Sequence, residues 1–268
     1  MTAESEMPWT PRVAVVEFVA PGGAAANAGK MRGGETRFDT IPIAQGLRNA
    51  GAAVDIVRYD ASSFLEAARD YDALVLRADP GQLQAAGALE RFEADVEALG
   101  RRGALVWPSP AARRCLGSKE ALARIAHLPF GDAKTVAYRT AEDVSGAAFP
   151  GVFKQARGSG GRGVWIAMRA NGREGPADPD EVLILREVAD NHVETHTVRE
   201  FAAFCADGAG GAAGAWASPG GYLRSGPVVR MDYLPRAREG ELRFVMVGST
   251  VCNAASAYYI HIDVVVSA

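Results

Sequence analysis

The chain has 268 residues, 48% hydrophobic and 23% charged, a balance that excludes a wholly disordered chain and a disulfide-stapled miniprotein. Its 29 Lys and Arg against 32 Asp and Glu leave a formal charge of −3, so no global positive field draws it to nucleic acid or to an anionic membrane, and any polyanion site must be local. The 30 Gly and 14 Pro follow no G-x-y period, which removes collagen and predicts a loop-rich fold.

The first apolar run is preceded by Glu4, Glu6 and two prolines, the opposite of a basic-then-apolar export signal. No apolar stretch approaches the roughly 20 residues of a membrane helix. Cys115, Cys205 and Cys252 are odd in number and widely spaced, which predicts reduced packing thiols in a cytoplasmic setting.

Arg12–Ala20 (RVAVVEFVA) is a β-branched, almost continuous apolar run, as in a strand covered on both faces. Thr40–Ala50 has helical spacing through Ile43 and Leu47, with Gly51 where a C-terminal cap belongs. The cycle repeats: strand Ala53–Arg58, a helix from Ser62 or Ser63 to Arg69, strand Ala73–Arg77, one long helix Leu83–Leu99, and strand Ala104–Trp107. Strands and helices alternating at this spacing predict an α/β domain over 12–107, an open, doubly wound parallel sheet.

Beyond Pro108 the pattern becomes α+β, and a second domain is assigned to 108–268. It begins with a helix Lys119–Ala126 and strands Thr135–Tyr138, Gly151–Gln155, Val164–Met168 and Val182–Val188. A helix Val198–Cys205 with Thr197 as cap leads into the small, glycine-rich segment 207–221, read as a flexible loop. Strands resume at Val228–Tyr233 and Glu241–Val247.

The turn after the first strand, Pro21-Gly22-Gly23-Ala24, lacks the G-x-G-x-x-G spacing that a dinucleotide requires. More informative is FPGVFKQARGSGGRGVWI over 149–166. There a strand ending in Lys154 is followed by Gly158, Ser159, Gly160, Gly161 and Gly163, then by a second strand. Such a hairpin can wrap phosphate oxygens with unhindered amides while Lys154 reaches the same charge; the bland alternative is a glycine hairpin with a solvated lysine. Because the lysine precedes the loop and a strand follows it, this is not a Walker P-loop.

Three features favour the phosphate reading. Lys119 opens a helix just after Pro108-Ser109-Pro110, Met231-Asp232-Tyr233-Leu234-Pro235 ends a strand at a proline as a hinge would, and Glu241 and Arg243 alternate onto one face of the last strand. A carboxylate there can accept from ribose hydroxyls, and an arginine there can brace a phosphate.

In this order VFK, GSGGRG, DYLP and GELRFVMVG resemble the ATP-grasp superfamily, in particular its prokaryotic glutathione synthetase-like branch, over roughly residues 104–251. The resemblance implies a Rossmann-like domain before an ATP-grasp domain, and a ligase that uses ATP and magnesium to join a small carboxylate to an amine or thiol through an acyl phosphate. It assigns Lys119 and Lys154 to the α- and β-phosphates and 158–163 to the loop closing over the triphosphate. Asp232, Tyr233 and Leu234 would meet the adenine edge, Glu241 the ribose and Arg243, the catalytic candidate, the transferred phosphate. Substrate choice would fall to the loop 21–39.

The chain departs from the family after that strand, where an Asp and a Glu-x-Asn segment hold magnesium. Residues 252–268 contain no Glu and a single Asp, Asp263, the candidate metal ligand, only 20 residues after Arg243. Two readings follow: a shortened ligase, or a catalytically silent nucleotide-binding or interaction module. A plain small-molecule binder with a glycine lid is the third class.

Other candidates read as structural. His192 and His196, tested on a helical period with Glu194 between them, lack the H-E-x-x-H order and are assigned to a solvated polar turn. Cys115 has no spacing that links it to His127 or His261 and is assigned to buried packing, Arg113 and Arg114 to the surface, and Trp107 and Trp165 to core or rim packing.

Overall fold

The computed structural model describes residues 9–19, 36–37, 39–158, 161–208, 221–239, 241–247 and 250–257. The chain is mixed α/β and divides into two compact units, Met1–Gly117 with a parallel four-stranded sheet and Ser118–Ala268 with an antiparallel six-stranded one. No helix among the described residues is long and apolar enough to cross a membrane.

The first unit runs β1 (Arg12–Glu17), α1 (Thr40–Asn49), β2 (Ala53–Arg58), α2 (Phe64–Ala67), β3 (Ala73–Leu76), α3 (Pro80–Ala85), α4 (Leu89–Arg101), β4 (Leu105–Trp107) and α5 (Pro110–Leu116). The strand order is β2-β1-β3-β4. Successive residues of β1 point to opposite faces, and both faces are apolar. Val13 and Val15 pack with Val54 of β2 and Ala44 and Leu47 of α1, whereas Ala14 and Val16 share a core with Phe64, Leu83, Phe92, Val96 and Leu99 from α2, α3 and α4. Glu17, fully buried at the end of β1, accepts the Arg37 amide at 2.9 Å and the Thr40 hydroxyl, which fixes the start of α1.

Helix α1 ends at Gly51 as the sequence predicts: Gly51 has φ +93°, its N–H donates to Arg48 O, and the Ala52 N–H donates to Leu47 O. The same device divides the predicted Leu83–Leu99 helix into α3 and α4. Gly87 has φ +67°, its N–H donates to Gln84 O at 2.9 Å, and the Ala88 N–H donates to Leu83 O at 2.8 Å. Two further expectations change at element ends. β1 stops at Glu17 rather than Ala20, and α2 covers Phe64–Ala67 with no side-chain cap from Ser63, the Asp60 carboxylate accepting the Ser62 amide instead.

Three side chains assigned from sequence sit otherwise. Arg113 is buried rather than on the surface, its guanidinium 4.8 Å from the Phe92 ring centroid and donating to Ala78 O at 3.1 Å. Its neighbour Arg114 is exposed and pairs with Glu97. Cys115 is exposed rather than packed, since α5 turns it away from the core that holds Arg113, and Trp107 is 62% exposed at the end of the edge strand β4.

The second unit runs α6 (Glu120–Arg124), β5 (Val136–Tyr138), α7 (Ala141–Ser145), β6 (Ala148–Phe149), β7 (Gly151–Lys154), β8 (Val164–Arg169), β9 (Gly175–Pro176), β10 (Val182–Glu187), β11 (Val193–Thr197), α8 (Val198–Asp207), β12 (Val228–Asp232), β13 (Glu241–Val247) and β14 (Thr250–Ala257). The main sheet has the order β11-β10-β8-β7-β12-β5, with β6 paired to β9 and β13 to β14 in separate two-stranded sheets. Helix α8 starts on a capping box, the Glu200 N–H donating to Thr197 Oγ1 and the Thr197 N–H to Glu200 Oε2, and ends at Gly208 with φ +77°. The rest of the predicted loop up to 220 lies outside the described residues.

The two faces of the main sheet differ. One carries Phe153, Trp165, Leu183 and Leu185 against Val198, Phe201, Phe204 and Cys205 of α8; each large apolar side chain buried this way contributes about 1.5–3 kcal/mol. Trp165 is core, as expected, and its indole N–H donates to the buried Tyr222 hydroxyl at 2.9 Å. The opposite face has a smaller apolar cluster, Val152 and Ile166 with Val164, Met168, Val188, Tyr233 and Ala237. Strand alternation puts Lys154 on the side of Val152, at the edge of this smaller cluster.

Candidate functional site

Lys154 ends β7, the strand between β8 and β12, and is 2% exposed. Burial pushes its amine down to about 8, with the Lys119 charge as the second cause. Lys119 stands at the N-cap of α6, where its backbone N–H donates to Ala156 O at 2.8 Å. Its Nζ donates to Gly158 O at 2.9 Å. The Lys119 charge thus acts on Lys154, and Lys119 itself reaches the first glycine of the loop.

The loop hangs from a closed base. Gln155 N–H donates to Gly163 O at 2.9 Å and Gln155 Nε2 to Arg162 O at 3.0 Å, while the Gly163 N–H donates to Glu187 Oε1 at 2.8 Å. Gly163 has φ +63°, and a Cβ there would lie 2.3 Å from the Gln155 side chain; at Gly161, φ +84°, it would lie 3.0 Å from the Ala189 backbone. Glycine is therefore required here by backbone conformation and by close packing. Ser159 and Gly160, the tip of the predicted loop, lie outside the described residues.

The predicted hinge is partly engaged within the protein. Asp232 closes β12, and its carboxylate meets Lys134 Nζ at 2.8 Å and Arg230 Nη1 at 2.6 Å. Burial raises its pKa, but the two cations outweigh burial and hold it below the usual carboxylate range. The Asp232 N–H donates to Asp132 Oδ2 at 3.3 Å, and the Leu234 carbonyl accepts from the Ala237 N–H. Tyr233 belongs to the small apolar cluster beside Val152 and Ile166.

Glu241 and Arg243 stand two residues apart on β13, opposite Ala257 and Ala255 of β14. Asp263 lies outside the described residues. No protein-family model matches the chain, and no curated protein matches it.

Sequence reasoning missed a cluster beside the loop. His192, Glu194 and His196 belong to the turn and strand around β11, so their period of two, and not a helical period of four, brings them onto one face. His192 Nε2 lies 2.8 Å from Glu194 Oε1, and His196 Nε2 lies 2.9 Å from Glu194 Oε2. Burial disfavours the imidazolium of His192, but hydrogen bonds to Asp190 and Glu194 outweigh it and raise the pKa. The alternating H-V-E-T-H is the available signal, and it fits the period of a strand rather than that of a helix.

Proposed function

We propose that this chain is an ATP-binding protein of the ATP-grasp type, glutathione synthetase-like, that joins a carboxylate to an amine or thiol by way of an acyl phosphate. In this reading the first unit is an open, doubly wound domain and the second supplies the nucleotide site. The observation that carries it is that Lys119 donates to Gly158 O of the glycine hairpin while its charge acts on the buried Lys154. Two ammonium groups whose charges repel, one of them buried, are stabilised by an anion between them, and a triphosphate supplies that anion together with acceptors for loop amides. The small apolar cluster of Val152, Ile166 and Tyr233 on the same side of the sheet suits the flat, weakly polar face of a base.

Catalysis in such a site is positioning plus neutralisation of phosphate charge by Lys119, Lys154 and Arg243. The described residues of the site do not fit magnesium, because Asp232 is committed to Lys134 and Arg230. Magnesium would enter this site as the counterion of the nucleotide.

Thermal unfolding with and without Mg-ATP tests the binding part. Protection of the wild type, lost in Lys154→Ala and in Glu241→Ala, is expected; no protection of the wild type overturns the proposal. ADP release on addition of particular acids with amines or thiols supports ligation, whereas protection without turnover on a broad panel leaves a silent nucleotide-binding module.

A further inference from the structure

We propose that Glu187, Asp190 and His192 form a binding site for a divalent transition metal of the zinc class, placed at the foot of the glycine loop. One ligand atom from each of these residues lies within 4.8 Å of the others. His192 Nδ1 is 2.5 Å from Asp190 Oδ1 and 3.6 Å from Glu187 Oε2. Tetrahedral ligands at about 2.1 Å from zinc stand about 3.4 Å apart, so a small opening of the Asp190 contact admits the ion.

Two observations go beyond the clustering. Glu187 is fully buried, and its Oε2, facing His192, has no hydrogen-bond partner among the described residues, an arrangement that leaves a desolvated carboxylate oxygen in need of a cation. The second is the brace on the ring. A metal-bound imidazole ordinarily gives its other N–H to a carboxylate, and His192 Nε2 meets Glu194 Oε1 at 2.8 Å, which leaves Nδ1 for the ion. Glu194 is held in turn by His196, and the Trp165 ring packs edge-on against His192 at 5.2 Å.

The set of one imidazole nitrogen and two carboxylate oxygens favours zinc over magnesium, which prefers an all-oxygen shell. Glu187 uses its other oxygen to accept the Gly163 N–H, so metal bound at Oε2 secures the hinge of the glycine loop.

The test is titration of zinc chloride into the full chain by calorimetry, with wild type, Asp190→Asn and His192→Gln. Asp190 is exposed, so its variant keeps the fold, which circular dichroism verifies. One zinc per chain, weakened at least tenfold in both variants and not displaced by millimolar magnesium, is expected. Absence of stoichiometric zinc binding, or equal affinity in all three proteins, overturns the site. Zinc should also slow tryptic cleavage after Arg162 in the wild type and not in Asp190→Asn; zinc binding with unchanged cleavage overturns the link to the loop.

Discussion

Raising the pH through 8 should stabilise the wild-type protein relative to a Lys154→Met variant. The amine falls from its ordinary 10.5 to about 8 on folding, chiefly by burial. A lowering of that size corresponds to about 3 kcal/mol against the charged form in the folded state. The folded pKa of this base lies below the unfolded one, so the penalty is full below pH 8 and fades between 8 and 10.5 as the unfolded chain holds more proton than the folded one. Between pH 7 and pH 9.5 the wild type should therefore gain about 2 kcal/mol relative to the variant. Urea unfolding of both proteins at the two pH values reads this difference directly. Parallel pH profiles, or a wild type that weakens relative to Lys154→Met as pH rises, would refute the assignment of a buried, depressed lysine.

Two other variants separate local causes. Gly163→Ala should destabilise by about 1–3 kcal/mol, because the new Cβ meets Gln155 at 2.3 Å on a left-handed backbone; an unchanged melting temperature contradicts this. Arg113→Ala should cost about 2–3 kcal/mol, since it removes both the Phe92 contact and the bond to Ala78 O. Arg114→Ala, on the exposed pair with Glu97, should leave the melting temperature nearly unchanged, and equal effects at the two arginines would contradict the burial argument.

The sequence read well wherever one local rule decided the outcome. Continuous β-branched runs marked β1 and β3, Gly51 marked the end of α1, and Thr197 marked the start of α8, because caps and periods act within a few residues. Gly87 carried the same stop signal but lay among alanines, whose helix propensity masked it. Arg113 had no local signal at all: its burial depends on Phe92, which the fold alone brings beside it. The strand order around β7 likewise depends on long-range pairing, so a shared site for Lys119 and Lys154 was an expectation from motif order, whereas the Glu187 cluster needed the β10–β11 pairing and stayed invisible.

The most direct measurement is the dissociation constant of Mg-ATP for wild type and Lys154→Met from pH 7 to pH 9.5. A lysine that must be charged to hold phosphate gives the wild type constant affinity below pH 8 and roughly tenfold weakening per pH unit above it, with weak, pH-independent binding in the variant. Affinity that is the same in both proteins, or no saturable binding by the wild type, contradicts a triphosphate held between Lys119, Lys154 and the glycine loop.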